Sequence, residues 1–211
     1  MTSRPILFSA PMVRALLAAT KYQTRRIIKP QPAPFIQQTP DRHPTTRTAP
    51  YIDAYCGERK TEANPRGMSR EWHWWTADNR LGEHAARCPY GQPGDRLWVR
   101  ETWAHVGDEF EGHCEYAATC EVSGIKWKPS IHMFRNDSRL TLEITDVRAE
   151  RLQEISEEDA KAEGAEAIGW GGFGPITFLN GYRMIWNQIN GPGSWDANPF
   201  VWAVSFKRAD A

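Results

Sequence analysis

Hydrophobic and polar positions change period several times along the chain, and each change marks an element. Ile6, Leu7 and Phe8 read as a short buried strand. Ser9 then offers a helix N-cap, Pro11 fits the first turn, and Val13, Leu16 and Leu17 form an apolar stripe that predicts a helix to about Thr20. A strand follows through Ile27 and Ile28 and stops at Lys29-Pro30. Period-2 alternation puts Gln23 and Arg25 on one of its faces and Tyr22, Thr24 and Arg26 on the other. After the turn Gly91 to Asp95, the stretch Arg96 to Trp103 predicts a strand with Leu97, Val99 and Glu101 on one face and Trp98, Arg100 and Thr102 on the other. Short strands are expected at Tyr116 to Ala118 and Ile125 to Trp127, and a long half-buried one around Leu140, Leu142 and Ile144.

Two helices close the pattern. Ser156 with Asp159 three residues on resembles a capping box, Ile155 and Ala160 make a staple, and Gly164 ends the helix just past Glu163. Beyond a glycine-rich joint at Gly169 to Gly174, Phe178, Tyr182, Ile185, Trp186 and Ile189 recur at helical spacing up to Asn190-Gly191 and are expected to face the core. Phe200, Trp202, Val204 and Phe206 finish the chain as a strand with large side chains on one face. The whole reads as α+β, with the strands forming a small, partly closed barrel.

From residue 32 to 87 no period is sustained. Prolines 32, 34, 40, 44 and 50 alternate with Thr, Gln and Arg, which predicts an insertion made largely of loop. The chain therefore divides into one domain from residues 1–31 and 88–211, interrupted by a Pro- and Trp-rich insertion at 32–87. Inside the insertion, Trp72-His73-Trp74-Trp75 fits either a local aromatic core or a lid that stacks on a base.

Composition narrows the function classes. Lys plus Arg and Asp plus Glu number 26 each among 211 residues, so bulk electrostatic binding of nucleic acid is not expected. Charge is nevertheless uneven: Lys21, Arg25, Arg26 and Lys29 form a basic cluster, and acids crowd residues 154–166. The four cysteines lack a C-x-x-C pair and no leader is visible, which predicts reduced thiols in a cytoplasm. His113, Cys114, Cys120 and Cys88 match no usual zinc spacing, so no metal and no cofactor are expected. No apolar run reaches the roughly 18 residues of a membrane helix.

The candidate chemistry lies in Lys21-Tyr22-Gln23-Thr24-Arg25-Arg26. A lysine beside a threonine hydroxyl makes a proton-transfer pair if burial or a neighbouring cation lowers the ammonium's pKa; a solvated basic turn is the other reading of the same residues. Glu163, at a helix C-terminus where the dipole is negative, suits a general acid or base, or is one more exposed acid.

The order of these segments is similar to that of the ASCH family of the PUA-like superfamily, in its long form carried by bacteriophages and prophages. The resemblance rests on the strand, the Ser9-Ala10-Pro11 helix, Lys21-x-x-Thr24-Arg25-Arg26, Pro93-Gly94-Asp95-Arg96-Leu97-Trp98-Val99, the strand from Leu140 to Val147, the helix Ser156 to Glu163 and the closing Phe200 to Phe206. It covers residues 4–30 and 88–208. It implies a small PUA-like β-barrel with flanking helices, and a cleft for a nucleoside or single-stranded RNA. Some small bacterial members are amidohydrolases that remove acetate from N4-acetylcytidine. By that resemblance Thr24 is the nucleophile, Lys21 holds its proton and Glu163 orients the lysine or protonates the departing amine, while Arg25 or Arg26 stabilises an oxyanion or phosphate. Trp98, Arg100 and Trp74 complete the expected binding set. The alternatives are an RNA-binding or ribonuclease-like module without amidohydrolase activity, and a phage interaction or assembly factor with a phage or host protein partner; the host cytoplasm is the expected location if a phage encodes the chain.

Overall fold

A computed structural model describes residues 2–31, 51–56, 68–75, 81–86, 88–107, 112–169 and 175–209, with the three short segments between 51 and 86 described by their backbone alone. In chain order the elements are β1 (Ser3–Leu7), α1 (Ala10–Leu17), β2 (Gln23–Ile27), β3 (Tyr51–Cys56), β4 (Met68–Trp75), β5 (Leu81–Ala86), β6 (Arg96–Arg100), β7 (Trp103–Val106), β8 (His113–Tyr116), β9 (Thr141–Arg151), α2 (Glu157–Ala162), α3 (Phe178–Asn190) and β10 (Phe200–Arg208).

Five strands make the main sheet in the order β1-β6-β9-β10-β2. β1 runs parallel to β6 and every other neighbour is antiparallel, so the architecture is α+β around a mixed sheet. The barrel expected from sequence does not close. No backbone ladder joins the outer strands β1 and β2 among the described residues; the Arg26 guanidinium instead donates to the Leu7 carbonyl at 2.6 Å. The sequence pattern marks which residues are strand, whereas closure depends on whether two edges come within ladder distance, and side chains fill that gap here.

The two faces of the sheet bury separate cores. Ile6, Phe8, Val13, Leu16, Leu97, Val99, Leu142, Ile144, Trp202, Val204 and Phe206 pack together on the α1 side. Leu152, Ile155, Ala160, Tyr182, Trp186 and Val201 pack on the side of α2 and α3. β10 serves both, and its whole apolar run from Phe200 to Val204 is buried, as a central strand requires.

α1 has Ser9 at its N-cap and a proline in its first turn, and ends at Leu17, three residues before the expected Thr20. Ala19 adopts a positive φ of 54°, and the amides of Thr20 and Lys21 return to the Ala15 carbonyl, which reverses the chain into β2. α2 is capped by Ser156, whose Oγ accepts from the Asp159 amide at 3.0 Å. Glu163 is its C-cap and Gly164 takes the left-handed φ of 80° that stops it.

Three corrections to the sequence expectations follow. The insertion contains β3, β4 and β5, which form their own antiparallel sheet in that order; the cluster Trp72 to Trp75 lies in β4, where aromatic residues favour strand over the predicted loop. Whether those rings form a small core or a lid lies outside the described residues, as does the glycine-rich joint from 170 to 174. Ile125 to Trp127 is not a strand: only the bridge between Trp103 and Lys128 forms there, because Gly124 at φ 85° turns the chain immediately before it. The strand predicted across Arg96 to Trp103 breaks after Arg100, and Trp103 begins β7. Glu101, placed by sequence on the apolar face, is buried because Arg139 meets it with two bonds of 2.9 Å.

Among the described residues, no helix is long and apolar enough to cross a membrane.

Candidate functional site

The turn after α1 and the C-terminus of α2 lie against each other, held by the Tyr22 amide donating to the Ala162 carbonyl at 2.9 Å. This contact brings Lys21 onto Glu163 although 142 positions separate them. The Lys21 Nζ donates to Glu163 Oε2 at 2.8 Å, to the Glu163 backbone carbonyl at 2.7 Å and to the Gln23 carbonyl at 2.8 Å. All three ammonium hydrogens are thereby used, and the side chain has no exposure to solvent. Gly164 is part of this packing, since a Cβ there would come within 3.3 Å of Lys21 Cβ.

Arg25, on the same strand face as Gln23, extends the network. Its Nε donates to Glu150 at 2.8 Å, its Nη2 to Asp159 at 2.8 Å, and its Nη1 to Gln23 Oε1 at 2.5 Å and, at a long 3.4 Å, to Glu163 Oε1. Gln23 passes its own amide hydrogens to Asp159 and Ser205. Tyr182 reaches Glu163 Oε1 from α3, also at 3.4 Å. Arg148 binds Asp159 from the solvent side at 3.0 Å. Lys21 and Arg25, both without side-chain exposure, therefore face three carboxylates, and Arg148 adds a third cation from the solvent side.

These surroundings set the protonation states. Burial, the dominant influence, lowers the pKa of the Lys21 ammonium below the ordinary lysine value; Glu163 opposes this and the two neighbouring arginines add to it. Burial works against the Arg25 charge as well, but Glu163 and Glu150 outweigh it and hold the guanidinium above its usual value. Burial pushes the Tyr182 phenol well up, with Glu163 adding to the effect, so Tyr182 stays a neutral donor.

Beside this network a cavity of about 220 Å³ opens between β2 and α3. Thr24, Arg25, Arg26, Ile27 and Lys29 line it from the strand side, Glu163 from the end of α2, Tyr182, Ile185, Trp186, Ile189 and Asn190 from α3, and Met12 and Tyr90 from elsewhere. Its walls are aromatic and aliphatic while its polar groups are mostly donors. Two side-chain nitrogens of lining residues, the Trp186 indole Nε1 and the Arg26 Nε, are buried without a hydrogen bond.

Of the residues singled out from sequence, Thr24 and Glu163 line the cavity, and Lys21 lies behind Glu163 without lining it. Among the described residues no hydrogen bond joins Lys21 to Thr24, so the expected lysine–threonine pair is replaced by a lysine–glutamate pair. The physical reason is that an uncompensated ammonium at zero exposure is costly and the carboxylate neutralises it. Arg25 also lines the cavity, but its donors are committed to the network; Arg26 is the arginine with a donor to spare. Trp98 and Arg100 do not line it. Trp98 is buried in β6 with the Arg100 guanidinium over its ring at 4.8 Å, and Arg100 donates to the Met133 carbonyl at 3.0 Å. The Trp74 backbone pairs with Ile52 in the insertion's sheet, and its side chain lies outside the described residues.

Sequence reasoning missed Tyr182, Trp186, Ile189 and Asn190 as site residues by assigning the α3 stripe to the core. Tyr182 and Trp186 are buried, but Ile189 is 51% exposed and the stripe divides between core and cavity wall. Asn190, directly before the stop at Gly191, was the available signal: a polar residue ending an apolar stripe. Among the described residues, no three His, Cys, Asp or Glu side chains are arranged to hold a metal ion, and Cys114 instead meets Asp137 at 3.6 Å. Cys88, Cys114 and Cys120 are free thiols. Comparison of the chain with protein-family models, with curated proteins and with solved structures found no match.

Proposed function

We propose that the cavity binds the base of a nucleoside and that the protein hydrolyses the amide of an N4-acylated cytidine, as an ASCH-type, PUA-like protein would. The observation that carries this reading is the meeting of Thr24 and Glu163 on one cavity with Lys21 bonded directly behind, which joins two segments far apart in the sequence. A cavity of about 220 Å³ is below the roughly 300–1,000 Å³ of sites for drug-sized ligands, which suits a single ring. In this reaction the Lys21 proton shifts along the 2.8 Å bond to Glu163, leaving an amine lone pair. Lys21 turns from the Gln23 carbonyl and takes the Thr24 hydroxyl proton as Thr24 Oγ1 attacks the acyl carbon. The C–N bond breaks, Glu163 protonates the departing exocyclic amine, and water then cleaves the acyl-threonine to release the acid and restore the hydroxyl.

The test is release of acetate from N4-acetylcytidine by the full chain, compared with Thr24→Ala, Thr24→Ser and Glu163→Gln. Turnover that disappears in Thr24→Ala and persists in Thr24→Ser is expected; a wild-type protein without turnover ends the proposal for this substrate. One observation favours a second reading, in which the cavity binds single-stranded RNA without chemistry: the ammonium of Lys21 is already saturated. That reading requires RNA binding that weakens steeply with salt and no acetate release.

A further inference from the structure

The basic groups on and behind the cavity's lining divide into a neutralised set and an unneutralised one. Lys21 and Arg25 are matched by Glu163, Glu150 and Asp159, with Arg148 outside. Arg26 and Lys29 have no such match, since among the described residues neither forms an ion pair and the one carboxylate on the lining, Glu163, is already engaged. Arg26 is also held in place before any ligand arrives. Its Nη2 donates to the Leu7 carbonyl at 2.6 Å and its guanidinium lies 5.4 Å from the Phe8 ring centroid, while its Nε hydrogen is buried and unpartnered. Lys29 is exposed at the rim. Trp186 also lines the cavity, at 4% exposure, and its indole Nε1 is buried without a hydrogen-bond partner.

A guanidinium held in place and an exposed ammonium on one cavity lining, with no unengaged carboxylate there among the described residues, suit a phosphate. The cavity itself is large enough for a ring and too small for a whole nucleotide, which places a phosphate at the rim where Lys29 lies. We propose that Arg26 and Lys29 form a phosphate subsite, so that the ligand is a nucleotide in place of a free base or nucleoside. This rests on the nucleoside-binding reading above and specifies the class of its substrate.

The experiment is calorimetric titration of the full chain with cytidine, cytidine 5′-monophosphate and ribose 5-phosphate, at low and high salt, for wild type, Arg26→Gln and Lys29→Gln. The monophosphate is expected to bind about tenfold tighter than cytidine, with the advantage falling below about threefold in each variant and shrinking with salt. Lys29 is exposed, so Lys29→Gln keeps the test valid should Arg26→Gln fail to fold. Equal affinity for cytidine and its monophosphate, or an advantage that survives in Lys29→Gln and in folded Arg26→Gln alike, overturns the subsite. A 5′-phosphorylated trinucleotide run in parallel identifies the source, the larger Arg26-dependent gain naming a mononucleotide or a strand end. Turnover of N4-acetylcytidine with no gain from phosphorylation defeats the subsite and leaves the hydrolase; Arg26-dependent nucleotide binding without turnover does the reverse.

Discussion

Replacing Glu163 by Gln keeps the shape and one acceptor oxygen at the centre of the buried network but removes its charge. Lys21 then retains two backbone carbonyls and no counter-ion, at a side-chain exposure of zero, and Arg25 loses only its longest contact. Removing one partner of a buried ion pair costs about 3–5 kcal/mol, which is the destabilisation expected near neutral pH. The penalty depends on pH in a defined direction. Burial already lowers the Lys21 pKa, and Glu163 is the main influence raising it, so the substitution lowers it further. A lysine whose folded pKa lies below its unfolded value binds fewer protons in the native state, and stability then rises with pH between the two values. The slope is at most about 1.4 kcal/mol per pH unit, and it begins at lower pH in Glu163→Gln than in wild type. Urea unfolding followed by tryptophan fluorescence between about pH 6 and pH 9.5 reads the gap directly. It should be widest at the acid end and narrow as pH rises. Lys21→Met combined with Glu163→Gln should recover most of the loss, because paired apolar replacement of a buried ion pair is often neutral. A gap that stays constant across this range, or one below about 1 kcal/mol at the acid end, refutes the account of Lys21 as a buried cation held by Glu163.

Other perturbations test separate parts of the structure. Arg139→Met leaves the Glu101 carboxylate buried without its two 2.9 Å partners and should cost about 3 kcal/mol in urea unfolding. Gly181→Ala places a Cβ 1.9 Å from the Glu166 backbone carbonyl, so α3 must shift; a loss of about 3 kcal/mol corresponds to a melting temperature lower by roughly 6–12 °C. Burial opposes the charge of Asp159, but Arg25 and Arg148 outweigh it and hold its pKa below the ordinary value of 3.8. Its stabilising effect is thus present at neutral pH and lost as pH falls through the folded value, so the stability gap between wild type and Asp159→Asn should close as pH falls below the ordinary aspartate range.

The ends of the chain were the most legible part of the fold. The Ser9 cap, the Val13 and Leu16 stripe, the Ser156 cap and the Gly164 stop are local signals, and local geometry decided them. The open sheet was not legible, since closure depends on how near β1 comes to β2 and no residue encodes that by itself. Lys21, Thr24 and Glu163 were picked out by resemblance, and the structure brings two of them to the cavity and the third behind it. Arg25 was expected to face a ligand; its three carboxylate partners, Glu150, Asp159 and Glu163, lie more than 120 positions away, and a single sequence does not display pairings over that span. The division of α3 between core and cavity was hidden for a related reason, because an apolar stripe shows that a helix is covered without saying where the cover has a hole.

The placement of β10 has a consequence for how the chain is made. This strand is synthesised long after β2, yet it lies inside the sheet and, among the described residues, is the strand that pairs with β2. At a synthesis rate of about 5–20 residues per second, β2 waits roughly ten seconds or more with Lys21 and Arg25 still in water. Until Phe200 to Arg208 has docked, β2 lacks this ladder partner, and a stall before that point leaves an open strand edge available to a neighbouring chain.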